Sequence, residues 1–163
     1  MKDSEKFAFA NWYQGSDQEK WPHETAGFRD YACKIIVFDV EGFAVFVRET
    51  EKRNRSNDWK LPGGRSETGE YPPETASREL EEETGIAMMP EDLKLAWTDH
   101  RDNHAVYVFA VKVSHFSHLK AEGDEGEEVG VFDFGSIADM SDFFKSDLNL
   151  MEKMDIIPSS IAA

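Results

Sequence analysis

Between Leu61 and Gly85 the chain has little conformational choice. Leu61-Pro62-Gly63-Gly64 is barred from helix, because proline fixes φ and the glycines open backbone shapes closed to other residues. Pro72 and Pro73 then suit a first helical turn, and Gly85 suits the position just past a helix end. The segment reads as a tight turn, a loop, and a helix of about three turns bracketed by Pro73 and Gly85. That helix ends in RELEEETG, with four glutamates, Glu79, Glu81, Glu82 and Glu83, within five residues.

Helical spacing puts Glu79 and Glu83 at i,i+4 and Glu79 and Glu82 at i,i+3, so these three project from one side. Like charges so placed each cost a few tenths of a kcal/mol, and the helix C-terminus disfavours carboxylates further. Arg78 pairs at i,i+4 with Glu82, which offsets only part of this. A local rule broken this way is expected at a functional site, where something absent from the sequence restores the balance. A hard divalent cation with oxygen ligands would do so, and Mg2+ is usual where phosphates complete the shell. A solvated charged face is the plainer alternative, and the charge run alone does not decide between them. The thin apolar stripe, Ala76 and Leu80, agrees with one packed side and one wet side.

The rest of the chain supplies a sheet for that helix. Cys33 to Phe38 and Phe43 to Val47 read as strands of a hairpin turning at Asp39-Val40-Glu41-Gly42. Leu93 to Thr98 and Ala105 to Val113 form a second hairpin connected by Asp99 to His104. After the acidic loop Ala121 to Glu128 come a short strand, Val129 to Phe134, and an amphipathic helix over Ser136 to Met154. The loop Glu49 to Lys60 is locally basic, with Lys52, Arg53, Arg55 and Lys60; it is either a solvated loop or one facing an anion. With 163 residues, 40% of them hydrophobic, one core and one domain are expected. We divide the chain into an N-terminal arm, residues 1–30, packing on a domain of residues 31–163. The class is α/β, with helices on a mixed sheet.

A net charge of −15 repels polyanions, so no DNA partner is expected, and an anionic substrate needs a bound cation or a basic pocket. Cys33, the one cysteine, excludes an intrachain disulfide and sits where a buried thiol is expected. MKDSEKFAFANWYQG lacks the apolar stretch of a secretion signal, and no apolar run approaches a membrane span; the expected compartment is the cytoplasm, with no membrane partner. His115-x-x-His118 lacks a third ligand at zinc spacing and reads as solvated loop. Trp12, Tyr13, Trp21 and Trp97 read as packing residues rather than base-stacking platforms. The P-loop, dinucleotide-binding and EF-hand patterns are absent.

Spacing separates the two readings of the glutamate helix. From Gly64 the chain runs G-x5-E-x7-R-E-U-x-E-E-x-G-U through Glu70, Arg78, Glu79, Glu82, Glu83, Gly85 and Ile86, with U a bulky aliphatic residue. It resembles the Nudix box, and Trp59-Lys60-Leu61-Pro62-Gly63-Gly64 is similar to the lead-in that commonly precedes it. The resemblance spans roughly Cys33 to Met154. It implies a Nudix fold, a mixed β-sheet sandwiched between α-helices, and Mg2+-dependent hydrolysis (Mn2+ as substitute) of a nucleoside diphosphate linked to another moiety. Carried over by position, it implies Glu82 and Glu83 as main metal ligands, Glu79 as ligand or water-orienting group, and the Gly63 carbonyl as a further ligand. Glu70 would support the metal and water network, and Arg78 would hold the glutamates by ion pairing.

A water also needs a base, from the box or from a later loop. Glu125, Glu127 and Glu128 are the later candidates, and Glu128 is best placed relative to Phe132 by the family pattern. Lys60, Arg65 and Arg101 are candidate phosphate contacts. Family markers for ADP-ribose, diadenosine polyphosphate, NADH or coenzyme A substrates are absent, so the substrate is expected to be a small nucleotide-like diphosphate of unassigned type. Two alternatives remain open at this level: a nucleotide-sensing module without turnover, and an RNA cap hydrolase, which the net charge disfavours. The oligomeric state stays open between monomer and homodimer.

Overall fold

The computed structural model describes residues 31–49, 59–101, 104–116 and 118–136, without the side chains of 99–101 and 104. The expected arm 1–30, most of the basic loop 49–60 and all but the first residue of the expected helix Ser136 to Met154 lie outside the described residues.

Six strands form one mixed sheet: β1 (Tyr31–Phe38), β2 (Phe43–Arg48), β3 (Gly63–Arg65), β4 (Lys94–Arg101), β5 (His104–Lys112) and β6 (Glu128–Asp133). Their order is β4-β5-β1-β2-β6, with β3 on β1 off that path. β1 and β5 run parallel from Tyr31↔Ala105 to Phe38↔Lys112, and the other pairs are antiparallel. One helix, α1 (Pro72–Thr84), and a 3-10 turn at Pro90–Asp92 accompany them, and residues 134–136 are helical.

Alternation along the strands builds two cores, one on each face. Tyr31, Cys33, Ile35 and Val37 of β1 join Tyr107 and Phe109 of β5, and against them lie Ala76 and Leu80 of α1. Ile36 and Phe38 join Phe46, Val106, Val108, Trp97 and Phe134 on the opposite face. Leu80 is fully buried. That burial contributes about 1.5–3 kcal/mol, which outweighs several like-charge pairs at a few tenths each and lets an acid-rich helix dock.

Helix α1 starts at Pro72, one residue before the expected Pro73, with the Tyr71 N–H donating to the Glu74 carboxylate at 2.8 Å. It stops at Gly85, whose φ of 85° is left-handed. Two features differ from expectation. β4 and β5 extend through the polar stretch taken as a connection, pairing Asp99↔Val106, His100↔Ala105 and Arg101↔His104, because a backbone ladder ignores side-chain polarity. β3 was not expected, since two of its three residues are glycines; it forms because β1 offers an open edge.

That edge exists because β1 and β2 diverge from their turn, keeping only the Phe38↔Ala44 register pair. The segment after Trp59 enters the gap. Lys60 pairs with Val47, the Ile35 N–H donates to the Pro62 carbonyl at 2.9 Å, and Gly63 to Arg65 pair with Lys34 to Ala32. The tight turn is thereby fixed to both strands, under α1.

Candidate active site

α1, the lead-in to β3 and the loop before β6 enclose a cleft of about 750 Å³. Eight acidic side chains line it, against only Lys60, Arg65 and Arg78, so an anion needs a cation to enter. The four glutamates of α1 separate by geometry. Glu79, Glu82 and Glu83 face the cleft. Glu81 is exposed and outside it.

Arg78 organises the acidic face. Its Nε and Nη2 donate to the two oxygens of Glu70 at 2.7 and 3.2 Å, and its Nη1 donates to Glu79 at 3.0 Å and Glu82 at 3.3 Å. Nη2 also donates to the Arg65 carbonyl at 3.0 Å, tying α1 to β3. Hydrogen bonding to Glu70 raises the Arg78 pKa and keeps it charged despite partial burial. Glu70 also accepts from the Glu67 N–H at 2.9 Å and the Thr75 hydroxyl at 2.7 Å. Burial works against its charge, yet these donors hold its carboxyl below the ordinary range. Glu70 does not line the cleft; it grips Arg78.

Glu83 lies deepest. Its Oε1 accepts from the Gly63 N–H at 2.7 Å. Burial pushes its pKa up to about 8; the Gly63 N–H and Lys60 oppose this, and Glu79 and Glu127 add to it. Burial also raises Glu79, against Arg78.

The two glycines of the turn serve different neighbours. A Cβ on Gly63, where φ is 155°, would stand 2.0 Å from the Cys33 carbonyl oxygen. A Cβ on Gly64 would stand 2.4 Å from the Glu79 carboxylate carbon, so the missing side chain leaves that carboxylate its space.

The loop before β6 brings Glu125 and Glu127 to the cleft, with Glu127 buried and accepting from the Glu125 N–H at 3.1 Å. Glu128, preferred from the sequence, is not in the lining: it opens β6 opposite Arg48 and pairs with that guanidinium at 2.9 Å. The boundary of β6 separates the neighbours: Glu127 is the last loop residue and Glu128 the first strand residue, paired opposite Arg48. Lys60 lines the cleft with its Nζ on Glu49 at 2.6 Å, and Arg65 lines it too. The Arg101 side chain lies outside the described residues. His115 and His118 line a separate hollow near Gly85, away from these carboxylates.

The donor set suits a hard divalent cation: all are oxygens, and several are carboxylates that repel one another across a buried space. Among the described residues no three acid, imidazole or thiol groups stand gathered on one point, because Arg78 and the Gly63 N–H hold the α1 carboxylates.

No curated protein is significantly similar in sequence. Among solved structures, MutT described for the fish pathogen Aliivibrio salmonicida and for Vibrio cholerae superposes with a TM-score of 0.63 at 21% identity, over 79% of this chain and 99% of that one. MutT from Methanosarcina mazei gives 0.58 at 23% identity, over 77% and 92%. A bifunctional NMN adenylyltransferase/ADP ribose pyrophosphatase from Francisella tularensis, complexed with AMP and a manganese ion, gives 0.57 at 21% identity, over 77% of this chain and 42% of that one. At these identities the likeness shows a shared mixed-sheet α/β fold. The NUDIX domain profile matches residues 28–153, most of the chain and all of the box, and the chain therefore belongs to the Nudix family of pyrophosphohydrolases.

Proposed function

We propose that this enzyme hydrolyses a diphosphate bond in a small nucleoside-diphosphate-linked substrate, with Mg2+ as cofactor and Mn2+ as substitute. The observation that supports it best is the gathering of Glu79, Glu82, Glu83 and Glu127 from two elements around one cleft. Glu82 and Glu83 are the principal ligand candidates, with Glu79 beside them as ligand or water-orienting group and the Gly63 carbonyl as a further oxygen. A bound divalent cation supplies charge neutralisation and Lewis-acid polarisation at phosphoryl oxygens.

The chain's own residues provide the rest. Arg78, gripped by Glu70, is a positioning residue that keeps Glu79 and Glu82 turned to the cleft. Glu127, rather than Glu128, is the later-loop candidate to hold the attacking water and take its proton, because its carboxylate faces the Glu83 side of the cleft. Lys60 and Arg65 stand at the same cleft as candidate phosphate contacts; the fork of Arg65 suits two phosphate oxygens. The test is turnover of nucleoside triphosphates, nucleotide sugars, dinucleotides and dihydroneopterin triphosphate by purified protein with Mg2+. Hydrolysis of at least one, abolished by chelator, is expected; no metal-dependent turnover of any would overturn the reading.

A further inference from the structure

Helix α1 has no basic residue in its last turn, although its C-terminal end is crowded with carboxylates. A helix end leaves its last carbonyls without helical partners, and a cation there is favourable. The partner comes from a different part of the chain. The Lys120 N–H donates to the Thr84 carbonyl at 2.8 Å, the Asp124 N–H donates to the Glu82 carbonyl at 3.0 Å, and the Gly85 N–H donates to that of Glu81 at 2.9 Å. The Lys120 Nζ donates to the Glu82 carbonyl at 3.3 Å and to Asp124 Oδ1 at 2.6 Å. One side chain thus spans the helix end and the loop.

The contact is close on both sides. A Cβ on Gly85 would come 2.7 Å from the His118 carbonyl oxygen, and one on Gly123 would come 2.8 Å from the Glu83 carbonyl oxygen and 2.5 Å from Glu127 Oε1. The Gly123 N–H donates to the Glu127 carbonyl at 2.8 Å, closing the turn that carries Glu125 and Glu127. The loop therefore has one seat, against the carbonyls of the residues whose carboxylates line the cleft. The geometry points to Lys120 as the positioning residue that clamps the 120–127 loop onto the end of α1 and so sets Glu127 against Glu83. Lys120 is not among the residues lining the cleft and acts through Glu82, Asp124 and the turn at Gly123.

This inference rests on the proposed hydrolase reading, and its test has an arm that needs no turnover. In Lys120→Met, amide hydrogen exchange at Asp124 is expected to accelerate about tenfold relative to β1 amides, and Mn2+ affinity, followed by the electron-spin signal of free Mn2+, to fall severalfold. On any substrate the wild type hydrolyses, kcat is expected to fall at least tenfold with KM changed less than threefold, and Lys120→Arg to restore kcat to within threefold. Glu127→Gln is expected to cost much less in the Lys120→Met background than in wild type, because the two act in one chain of contacts. Unchanged Asp124 exchange and unchanged Mn2+ affinity overturn the clamp even if the wild type turns nothing over. A lowered melting temperature with full kcat and an undiminished Glu127→Gln effect overturns it as well, because that pattern marks a purely structural cap.

Discussion

Glu83 keeps its proton up to about pH 8 in the folded chain because burial and the neighbouring Glu79 and Glu127 oppose its charge. In the unfolded chain it titrates near its ordinary 4.5. Between those values the unfolded state binds fewer protons than the folded one. Stability from this group is therefore complete below about 4.5 and is lost as pH rises through about 8. Glu70, whose pKa is lowered, acts with the opposite sign and below that window: its stability is present above the ordinary carboxylate value and lost as pH falls through its folded pKa. Melting of the metal-free protein should fall by about 5 °C or more from pH 5 to pH 8, and Glu83→Gln should flatten that slope; an unchanged slope in the variant would contradict the buried-acid account. The same geometry ranks the glutamates in turnover. Glu81 is exposed and off the cleft, so Glu81→Gln should stay within about twofold of wild type, whereas Glu82→Gln and Glu83→Gln should each cost about 100-fold or more, a few kcal/mol of transition-state charge stabilisation. Equal losses at all would refute the partition. Spacing in the sequence already distinguished Glu81 from the other three, since helical periodicity needs only residue numbers. That Glu127 lines the cleft while Glu128 sits opposite Arg48 needed the pairing of β6 on β2.

At the scale of elements, β3 is the wedge between β1 and β2, and its two glycines give opposite predictions. Gly63→Ala drives a Cβ into the backbone of Cys33, which cannot rotate away. Gly64→Ala meets first the end of the Glu79 side chain, which can. Melting temperature should drop by more than about 6 °C for Gly63→Ala, and by less than about 3 °C for Gly64→Ala, the scale set by strain of a few kcal/mol against a fraction of one. Hydrolysis should fall about tenfold or more for Gly64→Ala, because Glu79 is displaced. Comparable melting losses for both would show that the Gly64 contact is not confined to a movable side chain. Helix α1 was legible from Pro72, Pro73 and Gly85 because capping is local chemistry. Its cation was not, since Lys120 lies in a loop more than thirty residues past Gly85 and meets the helix only after folding. β3 is not legible in the sequence for a similar reason: glycines carry no strand preference, and the edge that recruits them belongs to β1.

The whole chain carries −15, yet the cleft concentrates eight acidic side chains against three basic ones. Folding therefore assembles a repulsive site that a divalent cation would relieve, and an ion bound only to the folded state would stabilise it. Mg2+ at about 100 times its dissociation constant adds about 2.7 kcal/mol, so melting should rise by about 5–10 °C at pH 8, and much less in Glu82→Gln with Glu83→Gln combined. No shift in wild type would count against the cation site. Among the described residues no helix is long and apolar enough to cross a membrane. The sequence by itself determined the strands Cys33 to Phe38 and Phe43 to Val47, the helix between Pro73 and Gly85 to within one residue, the box spacing and the family, because turns, caps, alternation and residue spacing act over a few neighbours. Tertiary structure alone decided that β1 lies parallel to β5, that Glu70 grips Arg78 instead of facing the cleft, that Glu127 faces it instead of Glu128, and that Lys120 seats the loop on the helix end. Each of those depends on which distant segment fills a gap or meets an unpaired backbone group, and no local preference encodes that meeting.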